Sequence, residues 1–313
     1  MSRLWIKNPL AVHAENAGDG LVVDNGVIVE LVASGETPEH EATFDASDRV
    51  IIPGLINTHH HMYQTLTRAV PDAIDKELFD WLKTLYPVWA GLTPDMISSS
   101  SELAMAELLL SGCTTTTDHH YVFPAGHEDA IDRQVAAAER LGIRVVLTRG
   151  SMSLSVEDGG LPPATVVQDE DTIMADSARL IDQFHDAGPK AMTQIALAPC
   201  SPFSVTRGLM TAAAQLAKER GVLLHTHLAE TEDENGFCEE VFGCRPLDYV
   251  ENCGWSETKS WYAHGIHFNA DEIQRLAKAG AGVASCSHSN MHLSSGICSA
   301  CELEQAGVAV GLG

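Results

Sequence analysis

Two hydrophobic rhythms divide the chain. Up to about residue 53 the apolar runs are short and alternate with turn residues. Leu21-Val22-Val23-Asp24 and Val27-Ile28-Val29-Glu30-Leu31-Val32 flank Asn25-Gly26, a dipeptide suited to a two-residue hairpin turn. This block is too small to bury a good core alone. From residue 54 onward, short apolar runs of strand length alternate with longer amphipathic stretches of helical period.

The runs predicted as strands are Val50 into the histidines at 59–61, Thr114–Asp118, Arg144–Thr148, Gln194–Ala198, Val222–His227, Trp261–His264, Gly282–Cys286 and Val308–Leu312. Helices are predicted over about 94–111, 126–141, 169–187, 206–220, 228–251, 270–279 and 300–306, and residues 62–93 read as a long loop rich in Trp, Tyr and Leu. Eight strands separated by helices predict an α/β fold, a parallel (β/α)8 barrel of the TIM type. The competing open doubly wound sheet lacks its Gly-x-Gly-x-x-Gly marker after the first strand. The expected domains are residues 1–53, a set of small strands, and 54–313, the barrel.

In such a barrel the chemistry sits at the C-terminal strand ends, and the polar residues gather there. The first strand ends in His59-His60-His61, the second in Asp118-His119-His120, and the fifth in His225-Thr226-His227-Leu228-Ala229-Glu230. The sixth ends in His264 and the seventh in Ser287-His288-Ser289-Asn290. Read as a strand, the first has a period of two, so His59 and His61 share a face and His60 takes the other. Two such imidazoles, about 7 Å apart along a strand, can converge on one ion.

His59, His61 and His227 are the candidate metal ligands, three neutral imidazoles of an open, catalytic type of zinc site. Such a site lowers the pKa of a bound water to about 7. His225 is read as a buried support one layer deeper. Glu230, just past the fifth strand, suits a proton shuttle; the alternative is an acid at a helix N-terminus, the role assigned to Glu232, Asp233 and Glu234. His264 is a second catalytic candidate, orienting water, against a structural role. Imidazole ligands suit zinc and iron alike; zinc is the ion expected.

Composition narrows the partners. With 43 acidic and 19 basic residues the formal net charge is -24, which disfavours nucleic acid and anionic membranes and leaves room for a small uncharged ligand. No apolar run approaches the ~20 residues of a membrane span, and the start has no signal-peptide core. Eight scattered cysteines read as reduced thiols of a cytoplasmic protein. Cys298 and Cys301 make a lone Cys-x-x-Cys without a second pair, weak grounds for a metal or redox site. The zinc-deaminase signature His-x-Glu with Pro-Cys-x-x-Cys fails, because Pro199-Cys200-Ser201-Pro202 lacks its second cysteine. A homo-oligomer is compatible with the sequence, which marks no interface.

Pro53-Gly54-Leu55-Ile56-Asn57-Thr58-His59-His60-His61, His227-Leu228-Ala229-Glu230-Thr231, His264 and Ser289-Asn290-Met291 together resemble the amidohydrolase superfamily. The branch is the one that holds cytosine, guanine and S-adenosylhomocysteine deaminases and triazine hydrolases. The resemblance spans the whole chain. It implies a barrel beside a small β-sandwich built from both chain ends, and one divalent ion held by the His-x-His pair, the fifth-strand His and an Asp after the eighth strand. The fourth strand has no lysine to bridge two ions, which fits one metal.

The implied reaction is hydrolytic deamination of an aminated purine-like heterocycle, with 8-oxoguanine giving urate and ammonia as the expected case. Isoxanthopterin, guanine and triazines are the alternative substrates. For the substrate so implied, Gln64, which both donates and accepts, suits a lactam edge, against a solvated loop residue; Trp81 and Tyr121 stack on a planar ring or cover the barrel mouth; and Cys200 contacts substrate or is a small buried thiol. The eighth strand ends at Gly313 without the Asp, so the sequence is expected to be part of a longer protein. A chain that truly ended there would expose strand edges and be a non-catalytic remnant.

Overall fold

The computed structural model describes residues 3–313. The chain forms two compact units, Met1–Leu55 and Ile56–Gly313. In the first, strands β1 (Leu4–Lys7), β3 (Gly20–Asp24), β4 (Val27–Val32) and β5 (Ala42–Asp45) form a sheet in the order β4-β3-β1-β5. β2 (Ala11–Val12) and β6 (Val50–Ile51) pair separately. β3 and β4 are the antiparallel hairpin predicted at Asn25-Gly26, both of which take the positive φ such a turn requires.

The second unit is the barrel. β7 (Leu55–Asn57), β8 (Cys113–His120), β9 (Arg144–Ser151), β10 (Thr193–Pro199), β11 (Leu224–Leu228), β12 (Ser260–His264), β13 (Gly282–Ser285) and β14 (Ala309–Leu312) close in that order. β14 pairs with β13 and, through Leu312 and Asn57, with β7. The strand edges expected at the end of the sequence are therefore paired, while the outward side chains of Ile56 and Leu312 are exposed.

The intervening helices are α1 (Leu78–Trp89), α2 (Pro94–Leu110), α3 (Ala130–Leu141), α4 (Glu170–Phe184), α5 (Arg207–Arg220), α6 (Glu232–Phe242), α7 (Pro246–Asn252), α8 (Ala270–Ala279), α9 (Ser287–His292) and α10 (Ala300–Ala306). Side chains at their starts explain several boundaries. The hydroxyls of Thr93, Thr206 and Thr231 accept amides of the first turns of α2, α5 and α6. Asn269 and Glu272 form a reciprocal capping box at α8. The main core lies between the barrel and these helices, where β-branched and Leu side chains of the strands meet Ile131, Leu180, Leu209 and Leu276. Among the described residues no helix is long and apolar enough to cross a membrane.

Three expectations change. The first predicted strand is broken at Pro53 into β6 and β7; β7 stops at Asn57, whose side chain accepts the His59 amide, and the three histidines lie in the turn beyond it. The stretch 62–93 is not one loop; it contains α1, whose Leu78, Leu82, Leu85, Tyr86 and Trp89 are buried. The seventh strand ends at Ser285, and Ser287–His292 form the short helix α9. α1 matters most for the site. Its buried face joins Tyr63, Tyr121, Cys200, Phe203 and Leu293 in a second apolar cluster.

Candidate metal and catalytic centre

The turn after β7 is fastened at both sides. The Thr58 amide and hydroxyl donate to the Leu312 carbonyl at 2.7 and 2.9 Å, and the His59 amide donates to Asn57 Oδ1. This fixes the backbone from which His59 and His61 project. His227 projects from β11, next to β10 and β12.

The three side chains converge. His61 Nε2 lies 3.1 Å from His59 Nε2 and 3.1 Å from His227 Nε2. Their other ring nitrogens are already committed. His61 Nδ1 donates to the His119 carbonyl and His227 Nδ1 to the Cys200 carbonyl, each at 2.7 Å. His59 Nδ1 lies 2.8 Å from His225 Nε2, while His225 Nδ1 donates to the Trp261 carbonyl at 2.8 Å. That relay makes His225 Nε2 the acceptor and His59 the donor.

All three Nε2 atoms therefore carry bare lone pairs facing one point. Burial, followed by mutual repulsion, holds His59 and His61 well below their ordinary pKa, and burial pushes His227 down to about 3. Neutral imidazoles with lone pairs in near contact repel unless a cation lies between them. Nitrogens bound to one tetrahedral zinc at ~2.0–2.1 Å stand roughly 3.3 Å apart, close to the spacing here. The donor set fits a divalent ion, and the committed Nδ1 atoms are the outer bonds that orient metal-binding imidazoles.

Glu230 follows β11 through Ala229, which adopts φ 54°. A non-glycine residue there costs of order 1–3 kcal/mol and needs support. The support is visible: Glu234 accepts the amides of Ala229 and Glu230 at 3.1 and 2.8 Å, and the Ala229 carbonyl accepts the amides of Ile266 and His267. Glu234 is fully buried in this turn, so the helix-dipole reading does not describe it. Glu232 is exposed and pairs with His267 at 3.0 Å.

Glu230 itself is 3% exposed, and burial raises its carboxyl to about 8. Its Oε1 is 3.4 Å from His264 Nε2, and His264 Nδ1 donates to Asn290 Oδ1 at 2.8 Å. His264 is also strained, at φ 75°, and burial lowers its pKa to about 4.

A cavity of about 440 Å³ opens onto these groups. Its lining brings together the candidate metal-binding, catalytic and substrate-contact residues His59, His61, His227, Glu230, His264, Gln64, Trp81, Tyr121 and Cys200, while His225 lies beneath it. Its volume suits a small molecule. Gln64 lies beside the site with Nε2 3.3 Å from the Tyr63 hydroxyl. Trp81 packs edge-on against Trp89, and Cys200 presents Sγ 3.8 Å from His227 Nδ1.

Asp118, also at the rim, is fully buried and accepts the Met62 amide and Gln134 Nε2, both at 2.6 Å, so it anchors the histidine turn. All eight cysteines are free thiols, and Cys301 is exposed.

Sequence reasoning passed over three lining or neighbouring groups. Tyr86 sits on the helix that was read as loop. Cys286 has Sγ within 4.8 Å of ring nitrogens of His59 and His264. His119 lies beside the converging imidazoles; the sequence placed it at the rim without a role, and its position at the end of the threonine-rich second strand was a visible signal.

The amidohydrolase family model matches residues 50–313. Among curated proteins, 8-oxoguanine deaminase of Pseudomonas aeruginosa is 57% identical over all of this chain, which covers 71% of that protein. Isoxanthopterin deaminase from an unknown prokaryotic organism is 36% identical over 87% of this chain and 58% of its own length. Among solved structures, atrazine chlorohydrolase from Arthrobacter aurescens complexed with zinc is 30% identical with a TM-score of 0.92, over 99% of this chain and 71% of that one. The match in sequence extends over the strands that carry the histidine cluster and Glu230, and the likeness in structure extends over the whole barrel: this chain belongs to the amidohydrolase family.

Proposed function

We propose that the protein is a metal-dependent hydrolytic deaminase of an aminated purine-like heterocycle, and that 8-oxoguanine, converted to urate and ammonia, is its substrate. The observation that carries this reading is the meeting of three bare Nε2 atoms with the buried carboxyl of Glu230 in one cavity. His59, His61 and His227 hold the ion, zinc being the one named in a similar structure. A divalent ion there supplies Lewis-acid chemistry, lowering the pKa of water for attack on the ring.

The chain's own groups handle the protons. A C–O bond forms at the amino-bearing ring carbon and the C–N bond to the amino group breaks. Glu230 carries one proton of the attacking water to a ring nitrogen, which keeps it, and then passes the second, from the oxygen newly bound to the ring carbon, to the amino nitrogen, which leaves as ammonia as the ring carbonyl forms. A carboxyl raised to about 8 by burial exchanges protons readily near neutral pH. His264, fixed by Asn290, faces Glu230 and holds it toward the ring. The Gln64 amide pairs with a lactam C=O and N–H, Trp81 covers a flat ring, and Cys200 closes the wall beside His227.

The test is ammonia release from 8-oxoguanine by zinc-loaded protein, with guanine, isoxanthopterin and a triazine alongside. Turnover of 8-oxoguanine above the others is expected. Turnover of another member of the panel would move the substrate within the class, and no ammonia from any would overturn the deaminase reading.

A further inference from the structure

A further imidazole lies against this cluster. His119, at the end of β8, is fully buried and its ring stacks on that of His227, with centroids 4.6 Å apart and planes 16° from parallel. Its Nε2 lies 3.1 Å from the Ala198 carbonyl and donates to it, which leaves Nδ1 as an unprotonated lone pair. Among the described residues that Nδ1 is buried with no hydrogen-bond partner. A ring nitrogen of His119 lies within 4.8 Å of ligand-capable nitrogens of both His59 and His227.

An orphaned lone pair in the interior is a cost to the fold unless something positive lies near it. A packing residue would serve better as Phe or Leu at this spot. The backbone carbonyl of the same residue already orients His61.

We propose that His119 is a reserve ligand of the metal centre: with His59 and His227 it forms a second imidazole trio that holds the ion when His61 is displaced or lost. The inference rests on the metal reading of the site given above. The trio differs from the principal one by a single exchange, His119 for His61, and all three of its members are buried.

The experiment measures zinc affinity by competition with a chromophoric chelator for four proteins: wild type, His119→Phe, His61→Ala and the double variant. Phe keeps the stack on His227 and removes the nitrogen. His119→Phe is expected to change affinity less than about threefold alone and to weaken it at least about tenfold in the His61→Ala background, a coupling of the kind that shared partners produce. Cobalt in place of zinc gives a second readout, since the visible absorption of His61→Ala should change again when His119 is replaced. Near-ultraviolet circular dichroism of the metal-free proteins checks folding, and His119→Asn replaces Phe if Phe does not fold. An equal effect of the His119 change in both backgrounds would overturn the reserve role and leave the metal reading intact. Absence of zinc from the wild type would overturn both.

Discussion

His59 and His225 are joined ring to ring, Nδ1 to Nε2, at 2.8 Å, and His225 is in turn stacked on Trp261 with centroids 4.1 Å apart. The bond does more than pack two residues. Because His225 Nδ1 donates to the Trp261 carbonyl, its Nε2 accepts, and the proton of His59 is held away from the centre. The tautomer of His59 is thus set from a layer below, as outer partners do for metal-binding imidazoles.

The first prediction separates ligand from support. His59→Ala removes one of three converging nitrogens and should take bound metal toward zero after dialysis, read by elemental analysis. Full metal occupancy in that variant would refute the ligand assignment.

His225→Phe keeps the ring stack on Trp261 and removes the acceptor. Metal affinity should fall by roughly 10–100-fold, the usual effect of an outer-layer partner, while the folded core survives. Chelator competition reads this directly. An unchanged affinity would mean that the relay does not tune His59.

The barrel was legible because its strands are short runs alternating with amphipathic helices, and five of them, the first, second, fifth, sixth and seventh, lead into polar residues of the rim. Once the rim was located, His59, His61, His227, Glu230 and His264 followed from strand ends alone. What was hidden had other causes. α1 contains Pro87, which reads as a helix breaker, although Leu78, Leu82, Leu85 and Trp89 keep a helical spacing. Glu234 looked like one more acid at a helix start; its burial under the Ala229 turn depends on contacts between segments. Asp118 and His119 are neighbours in sequence with opposite outlooks, one bonded to α3 and the histidine turn, the other stacked on His227. Strand alternation separates their faces, but the partners each finds there, Gln134 and Met62 for one and His227 for the other, come from distant segments.

Gln64 offers a test of substrate reading. Its amide matches a lactam edge, so Gln64→Ala should lower the preference for 8-oxoguanine over an analogue lacking the lactam by about tenfold, the worth of one lost hydrogen bond. Bound metal should not change. Steady-state kinetics on both compounds measure the ratio. A uniform loss of turnover for both would assign Gln64 to support of the site.

Glu230→Gln keeps the shape and removes the proton carrier. Turnover should fall by about 10²–10⁴-fold with metal retained. The same variant reports on the buried acid through stability. In metal-free protein the Glu230 carboxyl stands at about 8 against a usual 4.5, so the folded state holds a proton that the unfolded state releases. Its contribution is fully present below about pH 4.5 and is lost as pH rises toward 8, because folded protein binds more protons across that window. The buried histidines oppose this, since their lowered pKa values make stability rise up to the pH where free imidazole loses its proton. The difference between wild type and Glu230→Gln cancels the histidine part. Measured by thermal melts of metal-free protein, the wild type should lose stability relative to the variant between pH 5 and 8, roughly the span set by the two pKa values. Parallel curves across that span would show that the Glu230 carboxyl keeps an ordinary pKa in the folded protein.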